Sequence, residues 1–116
     1  MKRGLASNQR FRPARGATGE AWRGLLNQAI GAHQKGDLDA AEHLYKKVLG
    51  LKIAQPDAMH YLGVLCHQRG RSDEAVELIR AALEATPNHP DAHNNLGNVL
   101  KESGRLAEAE ASYRRA

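Results

Sequence analysis

Residues 90 to 116 read PDAHNNLGNVLKESGRLAEAEASYRRA, and 34 residues earlier, from Pro56 to Ala82, the chain reads PDAMHYLGVLCHQRGRSDEAVELIRAA. The same step of 34 relates Gly36, Gly70 and Gly104, then Ala41, Ala75 and Ala109, then Tyr45, Ile79 and Tyr113, and finally Val48, Ala82 and Ala116. Leu62-Gly63 returns as Leu96-Gly97. A fixed period of this size marks a repeat array, in which one unit cannot bury its apolar face alone and stacked units share a continuous core.

Within each period apolar residues recur at three- and four-residue spacing on both sides of the central glycine, which predicts two helices and a turn. Gly36, Gly70 and Gly104 can take the left-handed conformation that closes a helix. Asp39, Asp73, Glu74 and Glu108 then open the second helices, where the helix dipole favours negative charge. Pro56 and Pro90 stand at the start of first helices, where the missing N–H costs nothing. The expected helices span residues 21–35, 38–52, 56–69, 73–85, 90–103 and 107–115, in units 22–55, 56–89 and 90–116, the last incomplete.

A 34-residue helix-turn-helix with Leu-Gly in the first helix, a small residue after the turn, an aromatic four residues on and a closing proline resembles the tetratricopeptide repeat family. Leu62, Gly63, Gly70, Ala75, Ile79, Ala82 and Pro87 carry the resemblance in the second unit. In the third it rests on Leu96, Gly97, Gly104, Ala109, Tyr113 and Ala116. The first unit departs from it, with Gln28-Ala29 in place of Leu-Gly and Ile53 in place of the proline. The resemblance implies an all-α, right-handed superhelical solenoid of about three repeats.

Composition agrees. With 41% apolar and 26% charged residues the chain is of globular type, and with only 4% aromatic residues its core must be built mainly from Ala, Leu and Val, which suits closely packed helices. The net charge of +4 is that of residues 1–20 alone, which hold five basic residues and Glu20; the rest is balanced at 12 basic and 12 acidic. That first segment mixes Gly, Pro, Ser and Arg without apolar periodicity and is expected to be a disordered basic arm. Cys66 is the only cysteine, so no intramolecular disulfide can form; a buried thiol and a reducing, cytoplasmic setting are expected. No apolar run approaches the roughly 20 residues of a membrane span.

By the geometry that the resemblance implies, the first helix of each unit lines a concave groove. The residues expected there are Arg23, Asn27 and His33 from the first unit and His60, Tyr61 and His67 from the second. The third contributes Asn94, Asn95, Asn98 and Lys101. Trp22 is expected to cover the N-terminal end of the stack. Within the family, the third unit looks most like the repeats of O-linked N-acetylglucosamine transferases, where an asparagine before the Leu forms a ladder that holds a peptide backbone. Asn27 and Asn95 match that ladder and Tyr61 interrupts it. Arg23 with Asn27 also resembles half of the carboxylate clamp of chaperone-tail-binding members, but Tyr61, Asp91 and Asn95 occupy the places that would complete it.

The mixed charge of these positions argues against nucleic acid, which needs a concentrated basic surface. His60 and His67, seven residues apart, stand about 10.5 Å apart along a helix axis, too far to share one zinc at about 2.0–2.1 Å each. No phosphate-binding glycine loop, zincin helix, nucleophile elbow or C-x-x-C occurs, so no catalytic residue, metal or cofactor is expected. The function that follows is a protein-interaction module taking an extended peptide in its groove; the alternative is the substrate-recognition part of a larger glycosyltransferase-like enzyme. Because the last unit is incomplete, Leu100, Leu106, Ala109 and Tyr113 are expected to form an apolar end face and to allow weak end-to-end self-association.

Overall fold

The computed structural model describes residues 14–51 and 55–116, with side chains from residue 21. Six helices follow one another: α1 (Ala14–Gln34), α2 (Leu38–Gly50), α3 (Pro56–Gln68), α4 (Ser72–Ala85), α5 (Pro90–Glu102) and α6 (Leu106–Arg115). Residues 1–13 and Ile53 lie outside the described residues. The start of α1 at Ala14 falls well before residue 21, inside the segment expected to be without structure. Once the packed part of a helix exists, each further residue gains a hydrogen bond without a new nucleus, so apolar periodicity is not needed to extend it by a turn or two.

The three turns are copies of one another. Gly36, Gly70 and Gly104 have φ of 84°, 83° and 83°. At the first, Gly36 N–H donates to the His33 carbonyl at 3.0 Å and Asp37 N–H reaches back to Ala32 at 2.9 Å. The same pair recurs as Gly70 to His67 with Arg71 to Cys66, and as Gly104 to Lys101 with Arg105 to Leu100. This is the double closure of a Schellman motif, and it satisfies carbonyls that the helix end leaves open. On the other side of the units, Pro56 and Pro90 open α3 and α5. The Gln55 side chain accepts from Asp57 N–H at 2.7 Å and His89 Nδ1 from Ala92 N–H at 3.1 Å, so each first helix is capped by the residue before its proline.

The turns fold each helix back on its partner, and the pairs pack where the small residues are. A Cβ on Gly63 would lie 2.7 Å from Ile79 Cγ1 and 3.2 Å from the Ala75 carbonyl; one on Gly97 would lie 2.7 Å from Tyr113 Cε1. Ala41, Ala75 and Ala109 are buried at the same level of each second helix, and Tyr45, Leu65, Ile79, Leu100 and Cys66 fill the space around them. Burial pushes the Cys66 thiol above its ordinary value, Glu74 adding to the effect, so it behaves as a small core hydrophobe. Trp22 packs half-buried against the same core.

Successive pairs stack into a body of 52 × 26 × 18 Å. Among the described residues the backbones of α1 and α3, and of α3 and α5, approach closely, whereas those of α2, α4 and α6 stand farther apart and are bridged only by side chains. The first helices therefore lie on the inside of the curve and the second helices splay outside it. Between the first two units an ionic cluster crosses the outer seam: Glu42 accepts from Arg71 at 2.6 Å, Arg69 at 3.2 Å and Lys46 at 2.9 Å. Arg71 and then Lys46 hold the Glu42 carboxyl down from 4.5 to about 2. The expected apolar end face is smaller than the pattern suggests. Leu100 and Ala109 are buried within the third unit itself and Tyr113 is half-buried against Gly97, leaving Leu106, 65% exposed, as the one large apolar residue of the four at the surface.

Gly97→Ala should destabilise the fold by about 1–3 kcal/mol in urea unfolding, because the new methyl must displace the Tyr113 ring. Gly24→Ala, in open space on the exposed face of α1, should instead stabilise it by about 0.5–1 kcal/mol. Equal effects of the two substitutions would contradict the close-approach account.

Candidate functional site

The inner face carries polar side chains that follow a rule of their own. His33 Nε2 lies 2.6 Å from Gln68 Oε1, the Asn95 amide donates to His60 Nε2 at 2.8 Å, and His67 Nε2 lies 3.0 Å from Glu102 Oε1. Each contact joins residues 35 apart, one repeat plus one residue. A histidine on one inner helix thus reaches the position beside its own equivalent on the next.

These contacts fix the histidines. An amide oxygen only accepts, so His33 Nε2 donates to Gln68 and its Nδ1 accepts from the Tyr45 hydroxyl at 2.9 Å. Burial, with Tyr61 nearby, raises the Tyr45 phenol well above its ordinary value and keeps it a donor. The His60 ring is 3% exposed, stacks on Tyr61 at 5.2 Å and meets His89 edge-on at 5.0 Å. Tyr61 in turn stacks on Tyr45 at 6.2 Å. A column of rings from His33 through Tyr45, Tyr61 and His60 to His89 therefore runs through the first two units to the cap of α5. With Nε2 accepting from Asn95, His60 carries its proton on Nδ1, which is buried without a partner. Burial first and His89 second lower its proton affinity, against the opposite pull of Asp57 and Asp91.

The residues expected in the groove thus divide into two groups. His60 is not on the groove surface: it lies in the seam between the second and third units, at the register of Leu26, which is itself buried. His33 and His67 are half-buried and committed to Gln68 and Glu102, and Asn98 accepts from the Tyr113 hydroxyl at 2.6 Å, which ties it to its own unit. Asn27, Asn94 and Lys101 are exposed, as is Arg23, whose guanidinium lies 5.0 Å from the Trp22 ring. Tyr61 and Asn95 are half-buried, and no contact among the described residues uses the Tyr61 hydroxyl or the Asn95 oxygen. Asn94 and Lys101 hold the register of His60 and His67, so they stand on the edge of α5 from which the inter-unit contacts leave. Reading the sequence missed Tyr45 and His89 as members of this network. The pairing of His89 with Gln55, both one residue before a proline, could have found the second.

In the plain sense of its architecture the chain is an α-helical repeat protein with a polar inner face. The model of the tetratricopeptide repeat matches residues 26–90 and 68–116, well over half of the chain, which belongs to that family. No curated protein matches it. Among solved structures, an O-GlcNAc transferase mutant of Thermobaculum terrenum is 31% identical over 90% of this chain with a TM-score of 0.81, and the chain spans only 20% of that protein's length. The second TPR of Spaghetti (RPAP3), bound to the HSP90 peptide SRMEEVD, superposes with a TM-score of 0.79 at 14% identity, covering 83% of this chain and 84% of that one. The type III secretion translocator chaperone SycD of Yersinia enterocolitica gives 0.76 at 20% identity, over 83% and 72%. The last two likenesses are of fold.

Because His60 is held neutral in the folded state, the unfolded chain takes up its proton first as pH falls. The stability associated with it is complete above about pH 6.5 and declines as pH drops below that value. His60→Asn should flatten the slope of unfolding free energy between pH 7.5 and 5; a slope unchanged by that substitution would show that another group sets it.

Proposed function

We propose that the inner face of α1, α3 and α5 binds an extended segment of a protein partner and performs no chemistry of its own. The observation that carries this reading is the line of Asn27, Tyr61 and Asn95, one residue per unit at equivalent register, each keeping hydrogen-bonding capacity that no contact among the described residues uses. An amide both donates and accepts, as a peptide backbone does, and a row repeated once per unit suits a ligand that runs along the stack. The second TPR of Spaghetti (RPAP3), which shares this fold, is bound to a peptide, which supports a peptide as the kind of ligand.

The ligand is a protein segment rather than nucleic acid or a membrane surface, since Asp57, Asp91 and Glu102 share this face with Arg23 and Lys101. Among the described residues no helix is long and apolar enough to cross a membrane. The buried single thiol suits a reducing compartment, and the cytoplasm is the proposed location. With Leu106 alone of the expected end face exposed, any end-to-end self-association is weak. A second reading is favoured by the 31% identity to the transferase: the repeats would select protein substrates for a glycosyltransferase-like domain elsewhere in the same polypeptide. The reading frame beyond Ala116 in the source genome separates the two.

In a peptide-array screen followed by titration of the best binder, Asn27→Ala should weaken binding by about 0.5–1.5 kcal/mol and leave thermal stability unchanged, because Asn27 is exposed. Asn95→Ala should weaken binding and also lower stability, since it leaves His60 without its donor. Affinity unaltered in both variants would rule out the inner face as the binding surface.

A further inference from the structure

A cleft of about 740 Å³ opens away from the inner face, between the outer helices α4 and α6. Leu83 of α4, Leu96 of α5 and Ala111 of α6 give it an apolar lining, and Pro87 in the connecting turn closes one side. Polar side chains make up the rest of the lining: the charged Arg80, Glu84, Glu108 and Arg115, with Asn88, and two buried groups, His93 and Ser112. His93, 8% exposed, donates from Nε2 to the Pro87 carbonyl at 2.7 Å and leaves its Nδ1 without a partner. Ser112 is 6% exposed, and its hydroxyl has no hydrogen bond among the described residues. A cleft of this volume, with an apolar patch of Leu83, Leu96 and Ala111 among polar and charged side chains, has the dimensions of a ligand site rather than of a packing defect.

The repeat supplies its own control. One period earlier, in the seam between α2 and α4, the residue at the register of Ser112 is Leu78 and the residue at the register of His93 is Met59. Leu78, with Leu49 at the register of Leu83, packs half-buried against the core. At these two registers the first seam thus carries Leu78 and Met59, and the second carries Ser112 and His93. What the second seam lacks is aliphatic volume beside a hydrogen-bonding partner.

We propose that the α4–α6 cleft is a second binding site, for a peptide segment of a partner that inserts one leucine- or methionine-like side chain between Leu83, Leu96 and Ala111 and places a backbone amide at the Ser112 hydroxyl. The rim matches such a segment. Arg80 and Glu108 pair across the cleft at 2.8 Å and bind the two outer helices together. Glu84 and Arg115, also on the rim, are exposed and form no ion pair among the described residues, so a basic and an acidic residue flanking the inserted side chain find opposite charges there. The site shares none of the residues expected in the groove, so a partner could occupy both.

The probe is the capped tripeptide acetyl-Lys-Leu-Glu-amide, titrated into the isotopically labelled chain to about 10 mM, a concentration suited to the millimolar affinity of a single anchor. The expected result is a set of amide shifts at residues 83, 84, 96, 111 and 112, absent with acetyl-Lys-Ser-Glu-amide. Ser112→Leu, which restores the side chain of the preceding unit, should abolish them while the melting temperature holds or rises. Ser112→Ala, which keeps the space and removes the hydroxyl, should weaken binding about threefold. Asn27→Ala should leave the titration unchanged. Shifts confined to the inner face, no shifts at these residues, or binding undiminished in Ser112→Leu would each overturn the proposal.

Discussion

Everything in this chain depends on two helices approaching closely enough that one of them has no room for a side chain. At Gly63 and Gly97 the backbone of the first helix lies against Ile79 and Tyr113 of the second, and a methyl group at either glycine would sit 2.7 Å from its neighbour. That proximity sets the tilt of each pair. Buried alanines at 41, 75 and 109 keep the second helix equally slim. With Gly63 and Gly97 at this register in two units and the small, buried Ala29 in the first, each pair presents a similarly inclined face to the next, and the stack curves with its first helices inside. No unit could hold this geometry alone, since much of what it buries lies against its neighbour.

The fold was legible because its determinants are steric and repeat at a fixed step. A glycine at positive φ and a proline at a helix start have few substitutes, and both appear at the same register in successive units. The inner face was less legible, for a physical reason. A polar residue on a solenoid helix can face the groove or the next unit, and both positions recur at 34. What separates them is the residue on the far side, one further along than the repeat predicts. Asn95 beside His60, and Gln68 beside His33, show the offset only once the helices are stacked. One clue was present in the sequence: the register of His60 begins with Leu26, and a column that starts with a buried leucine is a column of the seam.

The histidines then make sense as seam residues. A seam between repeats must join curved, tilted helices, and side chains with donors and acceptors at fixed angles suit a joint that apolar side chains would leave free to slide. His33 spans Tyr45 and Gln68, linking two units with one ring. His60 and His67 repeat the idea between the second and third units, with a partnerless Nδ1 in each case. A buried nitrogen without a partner costs on the order of 1–3 kcal/mol, so these joints are held at some expense of stability, by the rings stacked around them.

The outer side of the stack argues in the same way about function. Where the repeat constrains a position, the residues agree from unit to unit; where it does not, they are free to differ. The first outer seam is closed by Leu78, Leu49 and the ionic cluster around Glu42, and the second by the single Arg80–Glu108 bridge over a cleft floored with Ser112 and His93. Between equivalent registers the side chains differ most where Leu78 gives way to Ser112. On this surface the Ser112 hydroxyl, Glu84 and Arg115, without partners among the described residues, stand around Leu83, Leu96 and Ala111, the composition on which the proposed second site rests. In a repeat protein the departures from the period, rather than the period itself, are where a partner can be read.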